Sequence, residues 1–220
     1  MRVILEIGKG PRRVVAAATD WPGLDRWGPS EEAAIEKLDA YRERYAPVVE
    51  RAGLVAEFKG EESLRVVERV PGSSSTDFWG VAHVPSMAEA EVLSEAGLER
   101  RLALVQATWD CFHNAATRSS FELLPGSRGG GRSRDQIVEH VYGSERHQFW
   151  RKVGLRADEE VKLSPAELAD LRRQFVELIR TYNAEGKPAR TWPIQFLLRR
   201  VAHHAMDHAW EIEDRDTGGS

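Results

Sequence analysis

From Ser86 to about Arg215 the apolar residues fall at helical spacing in four successive runs, and each run opens at a residue suited to capping. That pattern confines the segment to packed helices. Ser86-Met-Ala-Glu89, Ser133-Arg-Asp-Gln136 and Ser164-Pro-Ala-Glu167 each set Ser three residues ahead of Glu or Gln. This is the capping-box spacing, which satisfies two backbone N–H groups that a helix start leaves bare. Pro165 occupies the first helical position, where no N–H is required, and Thr191 is placed to cap the fourth run. Leu98, Leu102, Val105, Trp109 and Phe112 stripe the first run; Leu168, Leu171, Phe175, Leu178 and Tyr182 stripe the third. The second runs from about Ser133 to Lys152 and the fourth from about Thr191 to Asp214. Helices carrying such seams bury them against one another as a four-helix bundle. The glycine-rich stretch 124–134 between the first two is too long for a tight hairpin and reads as a solvated loop able to serve as a crossover.

The chain before Ser86 has a different period. Val3, Leu5 and Ile7 alternate as on a half-buried strand, residues 8–11 signal a turn, and Val14 to Thr19 reads as a second strand ended by Trp21-Pro22-Gly23. Ser30 caps a helix with Glu31 and Glu32 in its first turn and Ile35, Leu38, Tyr41, Tyr45 and Val48 along one side. Leu54 to Phe58 and Leu64 to Val70 read as further strands. The expected class is α+β, divided into an α/β domain at 1–72, a linker with a serine run at 73–85, the bundle at 86–215 and a tail at 216–220.

The totals narrow the function. A net charge of -4 gives no reason to expect specific nucleic-acid binding or an anionic membrane partner. No apolar run approaches the ~20 residues of a membrane helix, and the apolar run of the first residues is too short for a signal peptide. Cys111 is the sole cysteine, which excludes a disulfide framework and a Cys-rich zinc site and fits a reducing, cytoplasmic compartment. Set beside Phe112 and near Trp109, it reads as a packing residue rather than a nucleophile.

The chemistry lies in the histidines. His204 and His208 are four apart on the apolar face of the fourth helix, with Leu197, Leu198, Val201 and Ala205. At ~100° per residue, four residues bring the second imidazole to within about 40° of the first, one turn on. His203 is rotated off that face. His140, between Ile137 and Val141, borders the core on the second helix. Imidazoles packed together without an ion would leave nitrogens needing partners, so His140, His204 and His208 are expected to bind one divalent metal ion. Three nitrogen ligands leave an open position on zinc, which can activate water or a thiol. Glu145, Asp207 and Glu211 are the nearby carboxylates for relaying a proton or orienting a ligand histidine. Glu145 and Asp207 are the catalytic candidates.

The segment resembles the DinB-like superfamily of bacterial metal-binding four-helix bundles. Its members carry one histidine on the second helix, here in QIVEHVYGSE, and a pair on the last, here in HAMDH, and a long connection after helix one. Many follow the last histidine with Arg-Gly, where this chain has Ala209-Trp210. The N-terminal part is similar to HicB-like domains over Trp21-Pro22-Gly23 and Gly28-Pro29-Ser30-Glu31-Glu32-Ala33, without a DNA-reading segment after it. The resemblance implies zinc or nickel as the ion and a low-molecular-weight thiol such as mycothiol, bacillithiol or glutathione as co-substrate of a transferase or isomerase. The expected partners are that thiol and an electrophilic substrate, with a homodimer as one possible assembly. The alternative is a non-enzymatic regulatory or binding protein whose metal is structural.

Overall fold

The computed structural model describes residues 1–126, 131–157 and 163–218. Four strands form one sheet in the order β3-β2-β1-β4, from β1 (Arg2–Ile7), β2 (Val14–Ala18), β3 (Asp25–Gly28) and β4 (Arg65–Pro71). β1 pairs antiparallel with β2 and parallel with β4, and β2 pairs antiparallel with β3. The connection between β1 and β4 contains α1 (Glu31–Ala40), α2 (Arg42–Arg51) and the short α3 (Val55–Lys59). Ser30 caps α1 by accepting from the Ala33 N–H, as its position predicts. Leu54 to Phe58, read as a strand, instead enters α3. Five residues are too few for periodicity to separate the two states, and Phe58 turns inward to meet Trp21 edge-on at 4.7 Å.

Every residue of β2 is buried: it is an inner strand of the sheet, and α1 and the helix at Ser74–Trp79 both meet it. Trp21 is fully buried, so the turn after β2 packs inside the molecule. Gly23 in that turn has φ +97, and a Cβ there would stand 3.3 Å from the carbonyl oxygen of Ala202. Only glycine combines that backbone with so close an approach to the last helix.

Within 73–85, Ser73 caps α4 (Ser74–Trp79). The bundle helices are α5 (Glu95–Arg118), α6 (Arg134–Ser144), α7 (Pro165–Ala184) and α8 (Ile194–Arg215). The Ser86 capping box is present, but it closes a 3-10 turn at Met87–Glu89, and α5 begins later with Ser94 as its cap. Ser133 and Ser164 form the predicted boxes. Thr191 is not a cap: Pro193 precedes α8. The second run is α-helical only to Ser144, then passes through a π turn at Glu145–Phe149 and a 3-10 turn at Trp150–Val153. The predicted stripes of α5 and α8 are buried. One hydrophobic cluster runs from Val3 and Leu5 in the sheet to Ile212 in α8. Of the loop read at 124–134, residues 127–130 lie outside the described residues, as do 219 and 220 of the tail. Among the described residues, no helix is long and apolar enough to cross a membrane.

The capping boxes provide a direct test of the helix assignments. Ser164 accepts from the Glu167 N–H at 3.2 Å, and Glu167 accepts from the Ser164 N–H at 2.8 Å. Ser164→Ala is expected to lower stability by about 1 kcal/mol, the usual cost of losing a serine cap, read as a lower midpoint in urea unfolding with unchanged slope.

Candidate metal centre

α8 sits at the middle of the molecule, and its burial sorts its side chains. One side meets the bundle; the other meets β3 and the 3-10 turn at Met87–Glu89. His204 and His208 face α6, where His140 meets them. The three ring centroids are 4.7–5.0 Å apart. One potential ligand atom from each ring can be chosen so that all three lie within 4.8 Å of one another.

This donor set suits a metal. The Nε2 atoms of His140 and His204 are 3.2 Å apart, close to the roughly 3.4 Å between two nitrogens bound tetrahedrally to zinc at ~2.1 Å. His208 makes a 2.7 Å hydrogen bond between Nδ1 and Glu211 Oε2, which leaves Nε2 for a metal. A carboxylate behind a ligand imidazole fixes its tautomer and orientation. Glu211 is itself gripped by Arg215 at 2.7 Å. Burial works to raise its carboxyl, but His208 and Arg215 hold it below the ordinary value. Burial lowers the His140 imidazole to about 4, with His208 and Arg132 adding to the effect. Burial also pushes His204 well below its ordinary value, reinforced by His208 and His140. Both rings are therefore neutral near pH 7, the form that ligates.

A cavity of ≈ 350 Å³ opens over the cluster. Its lining includes His140, His204 and His208, Ser144 and Gln148 from the second helical run, and Trp79 and His83 from the segment after the sheet. The π turn has a consequence here. In a continuous α-helix, residues 140, 144 and 148 drift round by about 40° per step; the wider i→i+5 turn reduces that drift, and all three side chains reach one cavity. His83 is placed by the buried carboxylate of Glu6 on β1, which accepts from the backbone N–H of His83 and of Val84, both at 2.9 Å, and from the Thr76 hydroxyl at 2.6 Å.

The two catalytic candidates part company. Asp207 lines the cavity and accepts from Arg26 Nη1 at 3.0 Å. That guanidinium also lies against the rings of Tyr41 and Trp210, 4.2 and 4.0 Å from their centroids. Burial works to raise the Asp207 carboxyl, but His203 and Arg26 hold it below the ordinary value. Its side chain is still 44 % exposed, so water moderates these effects. Glu145 is buried and bound through both oxygens to Arg172 on α7, at 2.7 and 3.0 Å, and it is not among the residues lining the cavity. Cys111 is half-buried, and burial pushes its thiol up to about 11, which keeps it protonated.

The sequence pattern did not single out Arg200, His83, Trp79 or Gln148, all of which line the cavity. His203, set aside as off the ligating face, lines it too and is buried. Comparisons of the chain with protein families, curated proteins and solved structures found no match.

Proposed function

We propose that the chain is a metal-dependent enzyme of the DinB-like kind, in which His140, His204 and His208 hold one divalent ion, zinc or nickel, and a small thiol is joined to an electrophilic substrate. The α/β part would be a HicB-like domain spanning 1–72. The observation that carries the reading is the cavity lined by the three imidazoles, which alone among the described residues group as ligands for one ion. A structural site is normally closed by its protein ligands, whereas a catalytic one keeps a position open.

A divalent ion held here supplies a Lewis acid that favours the deprotonated form of a thiol or of water. Glu211 orients His208. Asp207, at the cavity wall and held ionised by Arg26, is the carboxylate able to accept a proton from an incoming thiol. Trp79 and Val81 contribute apolar surface to the cavity wall. Glu145, tied to Arg172, enters as a positioning residue that pins the turn after α6 against α7. Cys111 takes no part, so the nucleophile comes from outside the chain.

Mycothiol, bacillithiol, coenzyme A and glutathione, titrated into cobalt-substituted protein, test this. At least one is expected to shift the visible cobalt spectrum, and the same thiol should add to a general electrophile in a reaction lost on chelation and in His204→Ala. If none of the four perturbs the spectrum, thiol use is wrong and hydrolysis becomes the better reading. A non-enzymatic protein would show neither activity.

A further inference from the structure

Beside the three histidines, the same cavity holds a second group of polar side chains that nothing among the described residues satisfies. Arg200 is buried, at 6 % exposure, and lines the cavity. Its Nε and Nη1 are shielded from solvent and have no hydrogen-bond partner among the described residues. His203, also lining the cavity and 4 % exposed, has both ring nitrogens in the same condition, as has His83 at Nε2. Buried donors without acceptors are uncommon and costly, and a guanidinium is the costliest of the common ones to leave bare.

The neighbouring carboxylates are committed elsewhere. Glu6 accepts from Thr76, His83 and Val84. Asp207 accepts from Arg26, and Asp25 Oδ2 from Arg199. Asp25 Oδ1 has no donor of its own, so it does not reach Arg200 either. An anionic ligand is the species that would satisfy a guanidinium and two imidazoles that line one cavity. A guanidinium pairs with a planar carboxylate through two parallel hydrogen bonds. The volume lies at the small end of ligand pockets.

We infer that Arg200, His203 and His83 form a carboxylate-binding subsite beside the three-histidine cluster, so that the ligand of this cavity is a small molecule bearing a carboxylate. The inference deepens the proposed function and rests on it for the identity of the reacting centre, but the subsite itself does not need the metal. A ligand anchored at Arg200 would present its remaining part toward His204, one helical turn along α8.

The experiment uses the full chain stripped of metal and titrated calorimetrically with succinate, with its neutral diamide and with inorganic phosphate. Removing the metal prevents a carboxylate from binding as a metal ligand. Succinate is expected to bind and the diamide not. Arg200→Gln should weaken succinate by at least about 30-fold, as expected when a buried charge loses its partner, while metal content stays at the wild-type level. Arg200→Lys, which keeps the charge, should fall between the two and guards against misfolding of the glutamine variant. His204→Ala should lose metal and keep succinate. Succinate binding that is absent from the stripped protein, or unchanged in Arg200→Gln, would overturn the subsite while leaving the metal reading intact. Phosphate binding tighter than succinate through Arg200 would overturn the choice of carboxylate. Metal-free wild type that binds succinate through Arg200 but takes up no metal would support the subsite and remove the metal reading.

Discussion

Arg199→Met is expected to destabilise the protein by about 3–5 kcal/mol at pH 7, the cost of removing one partner from a buried ion pair. Arg199 is 2 % exposed and joins three parts of the chain. Its Nε and Nη2 hold both oxygens of Glu89 at 2.6 and 3.1 Å, and its Nη1 holds Asp25 at 2.9 Å. Burial opposes its charge, but Glu89 and Asp25 raise its pKa above the ordinary arginine value. Removing the guanidinium strands two carboxylates, and Glu89 keeps only the Ser86 N–H and hydroxyl, at 2.9 and 2.8 Å. The pH dependence follows. Burial works to raise Glu89, but Arg199 holds it below its ordinary value in the wild type. Its contribution is therefore complete above that ordinary value and is lost as pH falls through the lowered one. In the variant, burial raises both carboxyls, so stability returns as they protonate. The difference between the two proteins should shrink between about pH 7 and about pH 4. Adding Glu89→Gln should restore part of the loss, a coupling that a double-mutant cycle in urea measures. A deficit under about 1 kcal/mol, or one that does not vary with pH, would mean that the network contributes little.

That network also marks the limit of what was legible in the sequence. The metal ligands could be found because spacing on a helix is a local property: His204 and His208 share a face wherever α8 lies, and His140 is set by the same periodicity on α6. Strands β1, β2 and β4 and the helix start at Ser30 were legible for the same reason. Arg199, Arg200 and His203 were not. Their run, LLRRVAHHAMDH, reads as an apolar stripe with a charged outer face, and an outer face is normally left to solvent. Here β3 and the 3-10 turn cover it, and partners such as Asp25 and Glu89 are more than a hundred residues away from Arg199. The π turn after Ser144 was hidden as well, since a run of apolar and polar residues does not announce one wider turn. The placement of Glu145 follows from that turn and from Arg172, and neither is visible in spacing.

Metal analysis of protein purified without a histidine tag or a nickel column is expected to find about one divalent ion per chain, as a single convergent site implies. His204→Ala and His208→Ala should each bring it close to zero. His140 and His204 are already at a ligating separation of 3.2 Å and His208 completes the set, and two remaining imidazoles make a far weaker site. His203→Ala should keep the ion, because its ring lies off the ligating face despite lining the same cavity. Glu211→Gln tests the next layer: the 2.7 Å contact to His208 would lose its charge but not its shape, and affinity should fall by about 10–100-fold. The ion should also stabilise the fold, since it binds the native chain and not the unfolded one; at a free concentration about a thousand times its Kd the gain is about 4 kcal/mol. Chelation should therefore lower the melting temperature of the wild type and leave that of His204→Ala unchanged. Full occupancy in both His204→Ala and His208→Ala would move the metal elsewhere. An absence of metal from the wild type, with no stabilisation by added zinc or nickel, would leave the three imidazoles as a polar packing cluster and favour the non-enzymatic reading.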